Sequence, residues 1–143
     1  KALVRLGPEQ LVERFKLRAQ LLAALGPTEC AQVVRHRVEE SPRMLELISE
    51  AEAVRWVSLT REALSLAVAA DGPPVLPTKR EVEEAISALA AGDEELITAI
   101  EVLRNGDTQP DEAVCEAEKM RLAKVLQQPS ERRILLLRSL LEN

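Results

Sequence analysis

A chain of 143 residues with 46% hydrophobic and 30% charged residues has the size and composition of one globular domain. Its single Phe and single Trp, with no Tyr, leave little aromatic surface for stacking nucleobases, and the net charge of −5 gives no general attraction to nucleic acid. No stretch reaches the roughly 18–20 consecutive apolar residues of a membrane span, so neither nucleic acid nor a membrane is an expected partner.

The chain begins at Lys1 rather than Met, and we interpret residues 1–143 as a single helical domain cut from a larger protein. A sub-boundary at the proline-rich residues 71–77 is the alternative. The two cysteines, Cys30 and Cys115, have no CxxC partner or nearby histidine, which predicts two buried, reduced thiols and an intracellular, cytoplasmic setting. Their spacing alone leaves a disulfide between them open.

Apolar residues recur at helical spacing between Gly, Pro and capping residues, and no segment shows the alternation of a strand. The pattern predicts an all-α fold of about seven helices, which cover residues 8–25, 28–40, 42–70, 79–91, 94–104, 110–128 and 130–142. Short links predict antiparallel hairpins, in which the first helix pairs with the second, the fourth with the fifth and the sixth with the seventh. The expected architecture is an irregular bundle or a short solenoid of helical hairpins.

The third predicted helix, about residues 42–70, is the longest and is expected to be the central one. Ser41 is its predicted N-cap, Pro42 suits the first turn, and Gly72 with the two prolines after it ends the pattern. The apolar stripe changes face near residues 50–52. The helix is therefore expected either to bend there or to be buried on more than one side.

Three prolines within residues 71–77 exclude a helix and a central strand, and predict an extended connector with Val75 and Leu76 against the core. Thr78 and Glu81 then form a capping box, and Asp93 caps the helix that follows. The apolar residues expected to face the core in these two helices are Val82, Ala85, Ile86, Leu89, Leu96, Ile97, Ile100 and Leu103.

No residue set has the pattern of a catalytic, metal or cofactor site. His36 is the only histidine, and no second one completes a zinc site, although it is a candidate pH sensor. The acidic loop 107–112 lacks the spacing and closing Glu of a calcium-binding EF-hand. There is no GxSxG turn and no glycine-rich phosphate loop. We therefore predict that this chain is not an enzyme and binds no cofactor.

Trp56, with Arg55 and Arg61 on the same predicted helix, is the first candidate binding group. Trp and Arg are the residue types most enriched in binding hot spots. The alternative is that Trp56 fills the core.

The last predicted helix is the second candidate, because its run of Ile and Leu covers most of the helix circumference. Ile134, Leu137 and Leu141 are therefore expected to lie in the core or against a partner, including a second copy of the chain.

Charge is distributed unevenly along the chain. Residues 78–118 hold twelve acidic and three basic residues, whereas both ends are net basic. Solvated helix faces explain this distribution, and a basic partner docking on segment 81–118 is the alternative.

The function predicted from these features is a non-catalytic interaction or scaffolding module that binds a partner helix or peptide. A regulatory or accessory domain of an enzyme with its catalytic residues elsewhere is the second interpretation. A nucleic-acid adaptor that uses basic ends such as Arg35, Arg37 and Arg43 is a weaker third.

Overall fold

The computed structural model describes residues 2–36 and 42–141, and every regular element within these ranges is helical. The all-α prediction is confirmed, and the helices form a bundle. The α-helices are α1 (Pro8–Ala24), α2 (Pro27–His36), α3 (Pro42–Leu45), α4 (Glu50–Ala69), α5 (Lys79–Ala90), α6 (Glu94–Arg104), α7 (Asp111–Leu126) and α8 (Ser130–Leu140). Two short 3₁₀ turns cover Ala2–Arg5 and Gly106–Thr108.

The prediction of one helix over residues 42–70 is wrong. Helix α3 ends after a single turn, and a new helix begins at Glu50. The Glu52 amide donates to Ser49 Oγ at 3.1 Å, and the Ser49 amide donates to Glu52 Oε1 at 3.0 Å. This capping box restarts the helix where the apolar stripe changes face. The predicted cap Ser41 and the predicted continuation of α2 over residues 37–40 lie outside the described residues, as does the predicted end of the last helix at residue 142.

The predicted capping groups of α5 and α6 are confirmed. Thr78 and Glu81 exchange both hydrogen bonds of a capping box, at 2.7 and 3.2 Å. Asp93 Oδ1 accepts the Leu96 amide at 3.0 Å, while its Oδ2 lies 3.0 Å from Lys124 Nζ on α7. The cap of α6 therefore also attaches α6 to α7.

The predicted pairing of successive helices is wrong in part. α7 is central and packs against α1, α2 and α6, whereas α5 packs mainly against α8. α1 and α2 make few close contacts with each other, and α5 makes few with α6. Ile86 and Ile97 are exposed rather than buried, because α5 and α6 turn other faces toward α8 and α7.

Aliphatic side chains fill the core, as the scarcity of aromatic residues requires, and Phe15 and Trp56 are its only aromatic members among the described residues. The fully buried large side chains are Leu6, Leu11, Leu21, Leu22, Val33, Trp56, Leu59, Leu96, Val114, Leu122, Val125 and Leu137. They come from nearly every part of the chain, so one core joins the helices on both sides of the proline-rich connector.

Cys30 on α2 and Cys115 on α7 form a disulfide, so the prediction of two reduced thiols is wrong. Both residues are buried, and their Cα atoms lie 5.5 Å apart. At the C-terminal end of α2, Arg35 donates to the Gly106 carbonyl at 3.0 Å and the Gln109 carbonyl at 2.7 Å. It also lies 2.5 Å from Asp111 Oδ1. The disulfide and Arg35 together fix α2 to α7 and to the loop before it.

Loss of the disulfide is expected to lower the free energy of unfolding by about 2–5 kcal/mol, because it closes a loop between residues 85 apart in sequence. Urea denaturation of the wild-type chain and the Cys30→Ser/Cys115→Ser variant measures this difference. A reducing agent should destabilise the wild type to the same degree and leave the variant unchanged. Equal stability of oxidised and reduced wild type would contradict the expectation.

Candidate functional site

The inner face of α4 belongs to the core. Trp56, Leu59 and Ala63 are buried along it, and only 1% of Trp56 is exposed. The Arg14 guanidinium from α1 lies over the indole ring, 3.4 Å from its centroid, in a cation–π contact. Trp56 therefore has the packing role that the sequence left as an alternative. Its contact with a partner stays a prediction, and such a contact would require the ring to be uncovered.

Arg55 is engaged within the chain. Its Nε donates to Glu13 Oε1 at 2.6 Å and its Nη2 donates to Glu13 Oε2 at 2.7 Å, so a two-pronged ion pair joins α4 to α1. The hydrogen bond from Arg55 holds the pKa of Glu13 below its ordinary value. This pairing helps to orient α4 on the bundle.

A buried charged cluster lies between α1 and α7, and sequence reasoning missed it. Arg18 Nη2 lies 3.4 Å from Glu118 Oε1, and Arg121 Nη2 lies 2.5 Å from Glu118 Oε2. Burial lowers the pKa of Arg18, and the charge of Glu118 opposes that effect. The sequence signal that could have revealed the cluster is the placement of Arg14 and Arg18, four residues apart, within the apolar stripe of α1. We assign the cluster a structural role, because its charges are paired across the helix interface.

The outer face of α4 carries an apolar stripe that the fold leaves exposed. We define the α4 outer stripe as Val54, Val57, Arg61, Leu64 and Val68. Its members follow one another at alternating steps of three and four residues, which is the a/d spacing of helices that pack along one another. Of their surface, Val54 exposes 63%, Leu64 53% and Val68 88%. Arg61, a residue predicted from the sequence to bind a partner, lies at the middle of this stripe.

The surroundings of the stripe are suited to close helix packing. Small residues flank the stripe on both sides, namely Ala53, Ser58, Thr60, Ser65 and Ala67. Leu45 from α3, Val54, Val57 and Arg61 are among the residues that line an open groove of about 420 Å³. Small flanking residues allow another helix to approach, and the groove provides space for a large apolar side chain.

The residues predicted on the last helix lie in different environments. Leu137 is fully buried, so much of the apolar run of α8 is satisfied within the core. Ile134 lines one surface cavity of about 440 Å³, and Leu141 lines another of the same volume. Leu76 borders both cavities. Leu76 and Val75 are nevertheless both exposed, so the prediction that they lie against the core is wrong.

The charged residues considered from the sequence are largely paired. Arg43 lies 2.9 Å from Glu29, so it and Arg35 are both held in ion pairs. The side chain of His36 and all of Arg37 lie outside what the structure describes. Within the described part of the chain, no group of three or more His, Cys, Asp and Glu residues is arranged to hold a metal ion.

Segment 81–118 is neutralised in part by its neighbours. Glu84 pairs with Arg80 at 2.9 Å, and Glu83 lies 3.8 Å from Lys79. Docking of a basic partner on this segment stays a prediction.

The chain matches no protein-family model, and no curated protein or solved structure shows significant similarity to it. None of the helices over residues 2–36 and 42–141 combines the length and apolar character that a bilayer crossing needs. The α4 outer stripe is therefore chosen as the candidate site on its geometry alone.

Trp56→Ala is expected to lower the free energy of unfolding by about 3–5 kcal/mol, because it removes a buried ring and the cation–π contact with Arg14. Urea denaturation followed by circular dichroism measures the change. Val68→Ala, on the exposed face of the same helix, is the matched control and should change stability by less than about 0.5 kcal/mol. A small effect of Trp56→Ala would contradict the packing role.

Glu13→Gln is expected to be less stable than the wild type at pH 7. Because the folded pKa of Glu13 is lowered from its ordinary value of 4.5, its ion pair stabilises the fold above that pH. That contribution is lost as the pH falls through the lower, folded pKa, so the gap between the two chains should narrow as the pH is lowered from about 5. Urea titrations across this range test it. In an Arg55→Gln background the pH-dependent gap should disappear, and a gap of constant size would contradict the assignment.

Proposed function

We propose that the chain is a non-catalytic interaction module that binds an amphipathic partner helix along the α4 outer stripe. The observation that supports this proposal is an exposed a/d row of four apolar side chains on one helix, Val54, Val57, Leu64 and Val68. Scattered exposed apolar residues are ordinary on a protein surface, whereas an aligned row with helix-packing periodicity is typical of a contact surface.

The support beneath α4 favours binding. Trp56 and Leu59 anchor its inner face in the core, and the Arg55–Glu13 ion pair holds its flank to α1. A partner helix would meet a surface that is already ordered, so little conformational entropy is lost on this side of the interface.

Arg61 gives the site its polar specificity. It interrupts the apolar row at the middle, so a fully apolar partner helix would leave its guanidinium without a counter-charge. A partner with an acidic residue at the matching position is preferred, because a carboxylate accepts the planar donors of the guanidinium.

The disulfide bears on where the module works. The intracellular setting was predicted on the premise that both cysteines are reduced. Because Cys30 and Cys115 form a disulfide, that premise no longer holds. Disulfides persist chiefly in oxidising compartments, so we propose that the folded module works in such a compartment.

The proposal is tested by selecting a displayed library of amphipathic helical peptides on the immobilised wild-type chain. Val57→Asp and Leu64→Asp should each weaken binding of the selected peptides at least about tenfold, because each places a charge within the apolar row. Ile97→Asp is the matched control, since Ile97 is an exposed apolar residue on α6, outside the stripe. Peptides that bind all four chains equally would contradict the proposal.

A further inference from the structure

The α4 outer stripe is complementary to itself in one antiparallel register. Glu50, the first residue of α4, lies on the same a/d row, four residues before Val54. The row therefore runs from an acid through two valines to a base at Arg61. In a second copy packed antiparallel, the row runs in the opposite direction. The acid of each copy then lies opposite the base of the other, at both ends of the contact.

We infer that the partner helix is α4 of a second copy of this chain, an inference that rests on the proposed function of the stripe. In antiparallel packing, a positions meet d positions of the facing helix. With the two-fold axis beside residues 55 and 56, Val54 faces Val57 of the second copy, and Arg61 faces Glu50 of the second copy. Symmetry repeats both contacts, which gives two apolar layers between two ion pairs.

The other arrangements lack this complementarity. A parallel symmetric pair places Arg61 directly against Arg61 of the second copy, and like charges in contact are destabilising. Shifting the antiparallel pair by one heptad of seven residues places Arg61 opposite Val57, and a shift by a second heptad places it opposite Leu64. Neither shift supplies a carboxylate from the row, so charge selects the register in which Arg61 meets Glu50.

Both charged residues are available for such a contact. Glu50 and Arg61 are exposed, and among the residues that the structure describes neither forms an ion pair within its own chain. This contrasts with Arg55, which lies on the same helix and is held by Glu13. The small flanking residues Ser58 and Ser65 leave the space that the second helix needs.

The paired stretch is short. Because α4 begins at Glu50, the two helices overlap in this register over residues 50–61 only. Such a small contact predicts a weak and reversible dimer rather than a permanent one.

Sedimentation velocity of the full chain over about 10 μM to 1 mM, the range suited to a weak interface, tests the inference. The wild type should show a monomer–dimer equilibrium. Arg61→Glu and Glu50→Arg should each raise the dissociation constant at least about tenfold, because each places like charges together twice per dimer. The double variant Glu50→Arg/Arg61→Glu restores opposite charges and should return the constant to within about threefold of wild type.

Each outcome has a definite meaning. A wild type that stays monomeric at 1 mM overturns the inference, and the peptide selection with Val57→Asp then still decides the proposed function separately. A dimer that neither single variant weakens, or that the double variant fails to restore, overturns the register. Both positions are exposed, and circular dichroism with a thermal melt verifies that each variant remains folded.

Discussion

The disulfide between Cys30 and Cys115 is the constraint on which the arrangement of the bundle depends, because it fixes α2 along α7. α7 in turn packs against α1 and α6, so the position of α2 is set relative to most of the core. Arg35 repeats the attachment at the far end of α2 through two backbone carbonyls and Asp111. With two attachment points, α2 can neither slide along α7 nor rotate about a single bond.

The charged residues that are paired within the bundle and at its surface explain which side chains remain for an outside partner. Glu118 compensates Arg18 and Arg121, Glu13 compensates Arg55, and the Trp56 ring receives Arg14. Leaving a buried charge such as Arg18 or Glu118 without its partner is costly, so the buried members are committed to the fold, whereas Arg55 and Glu13 form a half-exposed pair at its surface. Arg61 lies six residues beyond Arg55 on α4 and is exposed, between Val57 and Leu64 of the outer stripe.

Local signals in the sequence predicted most helix boundaries, because capping acts over three or four residues. Thr78 with Glu81 and Asp93 with Leu96 behave as expected. The equivalent box of Ser49 and Glu52 is equally visible in the sequence, but it was obscured by the absence of Gly and Pro around it. Helix pairing was not predictable in the same way, since it depends on which face of each helix is buried. α5 and α6 each offer more than one apolar face, and packing against α8 and α7 decides between them.

The candidate site was only partly predictable for the same physical reason. α4 is apolar on two faces, and the sequence alone does not say which of them the core covers. Trp56 is larger than any residue on the other face, so burying the face that carries Trp56 removes more apolar surface from water. The opposite face, with Val54, Val57, Leu64 and Val68, therefore stays exposed. An exposed apolar row lowers the solubility of a protein unless a partner covers it. Arg61 limits that cost, because a charge in the middle of the row opposes random apolar association and admits a helix that brings an acid to the matching position.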